Sequence, residues 1–204
     1  MKNPAAVLLS LALAGLAAAE APYSLQEGDI LFHGTPGKQA DAIRGATGSP
    51  YTHCGVVFQE NGHLMVLEAV QPVRTTTVAE FQKRGTPGTF LAKRLKSPPD
   101  AAGIEKAKTW AKKQLGHDYD ARFQWGDDKL YCSELVWKVF HEAGVTLCKP
   151  RHFQDYQLDH PAVKPVIEQR YGSADKLPKD EPVVAPSDLA ASELLEEVPR
   201  VEEK

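Results

Sequence analysis

Two alternating apolar segments separated by a short polar turn constrain the fold more than any other feature of the sequence. The segments HCGVVFQ and HLMVLEAV have the two-residue period of β-strands, and Glu60-Asn61-Gly62 lies between them. Asn-Gly is a strong hairpin signal, because both residues tolerate the positive φ angles of a tight turn. The sequence therefore predicts an antiparallel hairpin in the first half of the chain.

The loop length of this hairpin decides which side chains share a face of the sheet. If the loop is Asn61-Gly62, facing residue numbers sum to 123, so that Gly55 lies opposite Glu68. His53 and Glu68 are then diagonal neighbours on one face, with β-carbons about 7 Å apart, and Gly55 leaves the space between them open. A three-residue loop would place the two side chains on opposite faces.

The clearest helical pattern is YCSELVWKVFHEAG, in which the second residue is a cysteine. Apolar residues from Cys132 to Ala143 form one stripe at helical spacing, and Gly144 suits a left-handed C-terminal cap. A second helix is predicted over residues 100–115. Shorter elements are predicted as strands at Asp29 to Phe32, PVRTTTVAEF and TFLAKRL, and as a helix at Ala40 to Arg44. These patterns together predict an α+β fold.

The first residues, MKNPAAVLLSLALAGLAAAE, have the pattern of a secretory signal peptide. A lysine precedes an apolar run from Ala5 to Ala19, which is shorter than a membrane-spanning helix and ends in small residues. We expect cleavage after Ala19 and a periplasmic or secreted mature protein. We expect no stable membrane insertion once the signal segment, residues 1–19, is removed.

The rest of the chain is predicted to form one domain over residues 20–172 and an acidic, Pro-rich tail over residues 173–204. From Ser173 the apolar content falls, which predicts an extended or disordered segment that could include a short helix from Asp188 to Glu197. The formal net charge is −3 and the basic residues are scattered, so a nucleic-acid partner is not expected.

Three cysteines cannot all pair within one exported chain. Cys54 and Cys148 could form a disulfide that leaves Cys132 free, although the sequence does not require it. A helix N-terminus lowers the pKa of a cysteine, because unpaired N–H groups and the helix dipole favour the thiolate. Cys132 is therefore the candidate nucleophile, with His53 as the candidate base and Glu68 as the residue that orients it.

The same residues have simpler structural interpretations. Cys132 could be a small core residue, His53 a hydrogen-bonded structural histidine, and Glu68 a solvent-facing residue of an edge strand. The conjunction of the three types in a thiol-hydrolase arrangement favours catalysis over these interpretations.

Metal binding is a competing interpretation of the same region. His33, His53 and His63 lie on neighbouring predicted elements with Cys54. The sequence has none of the spacings C-x-x-C, H-x-x-x-H or H-E-x-x-H that are typical of metal sites. Neither a metal nor another cofactor is therefore expected.

Five motifs follow one another in the order GDILF, YTHCGVV, VLEAVQPV, GHDYDARFQW and YCSELVW, and the segments EQRYG and EPVVAPSDL come after them. In this order they resemble the permuted NlpC/P60-type papain-like cysteine hydrolases, specifically the YiiX-like branch. The resemblance runs from about Glu27 to Tyr171. It implies an α+β fold in which a small antiparallel sheet or barrel packs on the helix that carries the nucleophile.

Motif by motif, the resemblance implies that Cys132 is the nucleophile, His53 the base and Glu68 the orienting residue. It also implies that Tyr131 and Tyr119 line the substrate site.

The resemblance restricts the substrate less than it restricts the mechanism. Relatives of this fold hydrolyse peptide or isopeptide amides, often in cell-wall peptides, and others cleave or transfer acyl groups on lipids. The predicted export favours a small peptide or amino-acid-containing substrate of the peptidoglycan type. A lipid-acyl hydrolase or acyltransferase and a non-catalytic module that binds amino acids or peptides are the alternatives. Cys54 occupies a position of the motif where Val or Ala would also fit, and we interpret it as a core-packing residue.

Overall fold

The computed structural model describes residues 22–201, so the predicted signal segment lies outside the described residues. Strands and helices are mixed along this part of the chain, which confirms the α+β class. The strands are β1 Ile30–His33, β2 His53–Glu60, β3 His63–Glu68, β4 Arg74–Thr77, β5 Leu91–Leu95, β6 Asp118–Tyr119, β7 Lys129–Leu130, β8 Arg151–His152, β9 Pro182–Val183 and β10 Leu195–Glu197. The α-helices are α1 Lys38–Thr47, α2 Val78–Lys83, α3 Ala101–Lys113, α4 Cys132–Glu142, α5 Lys164–Tyr171 and α6 Pro186–Ala190.

Six of these strands form one antiparallel sheet in the order β10-β5-β1-β2-β3-β4. At its centre, β2 pairs with β3 so that Val56 faces Leu67, which is the predicted register. The intervening turn consists of Asn61 and Gly62, whose φ angles of 51° and 81° favour these two residue types. The predicted two-residue loop is therefore confirmed.

Helix α4 packs on one face of the sheet through the apolar stripe predicted from the sequence. Leu135 and Val136 are completely buried in a cluster that includes Phe32, Val56 and Leu67. Burial of an apolar side chain of this size contributes roughly 1.5–3 kcal/mol. These contacts fix the start of α4 beside β1 and β2.

Helix α2 packs on the opposite face of the sheet. Its Phe81 is completely buried with Val57 and Val66 of the hairpin. The sequence predicted only strand or turn for this segment, but Thr77 begins a helix because its side chain and that of Glu80 form a reciprocal capping box.

The C-terminal segment differs from the predicted extended or disordered tail. It continues the domain through β9, α6 and β10, and β10 pairs with β5 at the edge of the main sheet. Leu189 is completely buried and Leu195 nearly so. The helix predicted from Asp188 to Glu197 is replaced by α6 and this strand. The average composition after Ser173 concealed a few apolar residues whose positions let them reach the core.

Candidate active site

Cys132 is the first residue of α4, directly after the short strand β7. Tyr131, the N-cap residue, has an extended backbone, and its carbonyl oxygen accepts the first intrahelical hydrogen bond from the Leu135 N–H at 3.0 Å. The N–H groups of the first helical turn have no acceptor within the helix. The Cys132 thiol therefore lies at the positive end of the helix dipole, as the sequence predicted.

His53 and Glu68 lie side by side on the face of the sheet that the hairpin register predicted. His53 Nε2 is 2.7 Å from Glu68 Oε2, and Glu68 is completely buried. The Cys132 side chain interacts with this imidazole and helps to raise its pKa. Because Glu68 engages Nε2, Nδ1 is the ring nitrogen that is available to the sulfur. The structure thus brings together the three residues that the sequence singled out.

Arg84 belongs to the same group, although the sequence gave no indication of it. Its Nη2 donates a hydrogen bond to Glu68 Oε1, the carboxylate oxygen that His53 does not use. Arg84 caps the C-terminus of α2. Its contact with Glu68 depends on how α2 packs on the sheet, and no sequence periodicity relates the two residues.

The space that we expected to be open beside Gly55 is filled. The rings of Phe81 and His53 are stacked, with centroids 5.5 Å apart and an interplanar angle of 28°. A β-carbon on Gly55 would lie 2.5 Å from Cγ1 of Val66 and 2.9 Å from the carbonyl oxygen of Leu67. Glycine is required here because its neighbours approach closely, which is the reverse of the expected reason.

The buried groups around His53 carry opposite charges. Burial alone would lower the pKa of His53, but hydrogen bonds to Cys132 and Glu68 outweigh it and raise this pKa to about 9. Burial alone would raise the pKa of Glu68, whereas the hydrogen bonds and charges of His53 and Arg84 lower it. At neutral pH, His53 is therefore an imidazolium and Glu68 a carboxylate.

Cys54 affects the ionisation of Cys132 in addition to packing in the core. A hydrogen bond from its thiol is the largest cause that lowers the pKa of Cys132 well below the ordinary value. Burial opposes this shift, and His53 adds to it. Burial and the hydrogen bond to Cys132 raise the pKa of Cys54 itself, so Cys54 remains a thiol that donates to the thiolate.

The two other cysteines do not pair. Burial raises the pKa of Cys148 to about 12. None of the three cysteines is in a disulfide, so the pairing considered between Cys54 and Cys148 is not formed.

Tyr131 and Tyr119, the residues expected to line the site, border different cavities. The Tyr131 hydroxyl accepts a hydrogen bond from the Val184 N–H at 3.2 Å, so this buried side chain also anchors the C-terminal segment. The Tyr119 hydroxyl accepts a hydrogen bond from Gln39 Nε2 at 2.8 Å. Burial and then the charge of Cys132 raise the pKa of Tyr119.

Two cavities share Gln39 and Ile43 as lining residues. The first, here called the apolar cavity, includes Cys132 and has an empty volume of about 790 Å³ with its open mouth. The second, here called the histidine cavity, includes His53 and Tyr119 and measures about 580 Å³ in the same way. The nucleophile therefore lines the first cavity and its base the second. The sequence gave no indication of Gln39 or of either cavity.

The candidate metal ligands are not assembled into a site. Within residues 22–201, no group of three or more His, Cys, Asp or Glu side chains could hold a metal ion. His33 instead packs edge-on against Phe81 with ring centroids 4.5 Å apart, and burial lowers its pKa to about 4. His63 lies beside the hairpin turn, where it faces Glu60.

Comparison with known proteins relates this geometry to a family. Residues 24–199 match a family described as permuted papain-like amidase enzymes, YaeF/YiiX. The uncharacterized protein YiiX of Escherichia coli strain K12 is 35% identical over 162 residues, which is 79% of each chain. A crystal structure titled as that of metalloprotein YiiX from Escherichia coli O157:H7 has a TM-score of 0.79 and 33% identity, covering 86% of this chain and 97% of that one. The chain therefore belongs to the YaeF/YiiX family of permuted papain-like amidases, which are hydrolases of the cysteine-peptidase type.

Proposed function

We propose that this amidase uses Cys132, His53 and Glu68 as a catalytic triad. One observation carries the proposal: the buried Glu68 carboxylate holds His53 Nε2, and this imidazole and the Cys132 thiol at the N-terminus of α4 each shift the pKa of the other. A thiol hydrolase needs a nucleophile, a base within reach and a group that orients the base.

The proposed reaction begins with attack of the Cys132 thiolate on the amide carbonyl carbon. Unpaired N–H groups in the first turn of α4 would stabilise the oxyanion. His53 then gives its Nδ1 proton to the departing amine nitrogen, and a thioester to Cys132 remains. Neutral His53 accepts a proton from the water that attacks the thioester, and the acid product leaves. Glu68 holds the imidazole in position and stabilises its positive charge.

The proposed location rests on the N-terminal sequence. A signal peptide would deliver the protein to the periplasm or the medium, where an amide in a peptidoglycan-type peptide is the first candidate substrate. In the part of the chain that the structure describes, no helix has the length and apolar character needed to cross a membrane. The apolar lining of the cavity beside Cys132 supports a second candidate, an amide of an apolar acid.

The proposed mechanism requires neither a metal nor a cofactor. The structure of the Escherichia coli O157:H7 relative is titled as that of a metalloprotein. Among residues 22–201 of this chain, no group of three or more His, Cys, Asp or Glu side chains could hold a metal ion. The contacts among the nucleophile, base and carboxylate favour catalysis over the non-catalytic binding module.

Trapping of the thioester tests the proposal directly. The mature protein would be incubated with p-nitroanilides of amino acids and of fatty acids, quenched in acid, and examined by intact mass and peptide mapping. We expect the acyl group on Cys132, and we expect Cys132→Ala to abolish acylation and hydrolysis. Cys148→Ala is the matched cysteine change away from the triad and should retain both. Hydrolysis that persists in Cys132→Ala would disprove the proposed nucleophile.

A further inference from the structure

Helix α2 contacts both the base of the proposed triad and the carboxylate that orients it. The Phe81 ring of this helix is stacked on the His53 ring, with centroids 5.5 Å apart. At the C-cap of the same helix, Arg84 Nη2 donates a hydrogen bond to Glu68 Oε1. One short helix therefore touches two members of the triad, although it carries none of the three.

The Arg84 side chain is held in place by its own helix. Its Nε donates a hydrogen bond to the Glu80 carbonyl oxygen at 3.2 Å, and its backbone N–H donates to the Phe81 carbonyl oxygen at 3.3 Å. The central carbon of the guanidinium lies 5.8 Å from the centroid of the Phe81 ring. The side chain thus folds back along α2, and the packing of α2 on the sheet sets the direction from which it reaches Glu68.

Glu68 depends on Arg84 because its surroundings offer little else. Glu68 is completely buried, and among residues 22–201 its ion pairs are those with His53 and Arg84. On β4, Arg74 is opposite Glu68 in the strand register, but it is exposed to solvent. Without Arg84, Oε1 would be a buried charged acceptor that has lost its donor, which is costly. Arg84 therefore favours both the charged form and the observed orientation of this carboxylate.

The His53 imidazolium lies between anions and a neighbouring cation. The charges of Cys132 and Glu68 both favour its protonated form. His33 faces His53 across the first two strands, but burial lowers the pKa of His33 to about 4, so this ring is neutral at the pH of an assay. Arg84, on the second oxygen of Glu68, is therefore the cation that opposes the hold of the anions on the imidazolium proton.

We propose that Arg84 is a positioning residue for amide hydrolysis. It fixes the Glu68 carboxylate through the oxygen that His53 does not use, and it neutralises part of the negative charge that the imidazolium experiences. The imidazolium can then release its proton to the leaving amine. Facing the full charge of Glu68, it would be a weaker acid, and protonation of the amine would slow. This inference rests on the proposed function, because Arg84 acts only through Glu68 and His53.

Kinetics of Arg84→Gln and Arg84→Met test the inference, since each removes the charge from a side chain that is 36% exposed. With the p-nitroanilide that the unaltered protein hydrolyses, we expect kcat to fall about tenfold and KM to change little. The alkaline decline of kcat/KM should move to higher pH, because a cation near His53 has been removed. This direction is opposite to the one expected for Glu68→Gln.

Two further variants separate the charge from its geometry. Arg84→Lys keeps a cation but loses the planar guanidinium, so the alkaline decline should stay in place while part of kcat is lost. Lys83→Gln removes an exposed cation from the same helix and is the matched control, which should alter neither quantity.

The titration of His53 can also be followed without turnover. In protein that contains isotope-labelled histidine, the imidazole signal that is absent from His53→Phe would be titrated with pH by NMR. Its midpoint should rise in Arg84→Gln and Arg84→Met and stay in place in Lys83→Gln. Lost activity with an unmoved or lowered midpoint would show a merely structural role and overturn the inference with the triad intact, as would full activity of the uncharged variants. Absence of Cys132 acylation in the unaltered protein would overturn the triad and this inference together.

Discussion

His53 Nε2 lies 2.7 Å from Glu68 Oε2, and this contact joins the first residue of β2 to the last residue of β3. Arg84 binds the second oxygen of the same carboxylate. The carboxylate is completely buried but is paired with two cations, which offsets the cost of removing its charge from water. Glu68 therefore has a fixed orientation before any substrate binds, and it fixes the imidazole in turn.

The first prediction concerns Glu68→Gln. The amide keeps the shape of the side chain but removes its charge, so the variant should fold while kcat/KM falls by about 10²-fold. Loss of Cys132 should cost more, because no other nucleophile replaces it. Steady-state kinetics with circular dichroism as the folding check would measure both effects. Glu60→Gln, on the exposed end of the same hairpin, is the control and should keep full activity. Equal losses for Glu68→Gln and Cys132→Ala would contradict an orienting role.

The second prediction concerns pH. The folded-state pKa of His53 is about 9, above the ordinary value of 6.5, so stabilisation from its protonation is complete below the ordinary value. That stabilisation is lost as the pH rises through about 9, and the proton that the leaving amine needs is lost with it. We expect kcat/KM to decline with an apparent pKa near 9, and Glu68→Gln to move this decline to lower pH.

Unfolding measurements provide an independent check on the same titration. Urea denaturation of the unaltered protein should show a free energy of unfolding that falls between pH 6.5 and 9, and His53→Phe should remove that slope. An alkaline decline in activity that Glu68→Gln does not shift would show that another group limits the rate.

The third prediction concerns the close packing at Gly55. An added methyl group would lie within 3 Å of both Val66 and Leu67, so Gly55→Ala should lower the free energy of unfolding by about 1–3 kcal/mol. Activity should also fall, because the clash displaces the strand that carries His53. Gly126→Ala is the matched control, since a β-carbon there meets no atom within 4 Å. Equal stability of the two variants in chemical denaturation would contradict the packing argument.

The hairpin and the nucleophile helix could be predicted because residues that are close together in the sequence determine them. The alternating apolar pattern, the Asn-Gly turn and the helical stripe each depend on residues that are close together in the sequence. The first two determine the register that pairs His53 with Glu68. Arg84 and Gln39 could not be predicted in this way. Their contacts arise from the packing of α2 and α1 on other elements, and no pattern within either helix specifies a partner.

The C-terminal segment could not be predicted for a different reason. Its average composition is polar, and the averaging concealed the few residues that enter the core, such as Leu189 and Leu195. The apolar cavity depends on this segment, because Val183 and Val184 form part of its wall. Because the sequence predicts a disordered tail here, it could not predict the apolar cavity beside Cys132.

The fourth prediction concerns the mature N-terminus. The apolar run that ends at Ala19 is too short to span a membrane, and its last residues form a cleavable small-residue site. Protein exported by a Gram-negative host should therefore begin near Glu20, as measured by intact mass. Replacing Ala17 and Ala19 with Arg should block cleavage and serve as the control. Retention of the first nineteen residues in the exported protein would contradict the prediction.

The fifth prediction is that Cys132 is the reactive thiol. Its thiolate is favoured by the hydrogen bond from Cys54 and by His53, whereas burial holds Cys54 and Cys148 in the thiol form. Iodoacetamide at mildly acidic pH should therefore label Cys132 first, with peptide mapping to locate the label.

Two variants separate the causes of this reactivity. His53→Ala removes the imidazolium and should slow labelling of Cys132. Cys54→Ala removes the thiol that donates to the thiolate, so the pH at which labelling is half-maximal should rise. Cys148→Ala should leave the profile of Cys132 unchanged, because its own pKa is raised by burial and then by Asp188, not by Cys132. Labelling of Cys148 before Cys132, or a Cys132 profile that neither variant alters, would favour a binding module over an enzyme.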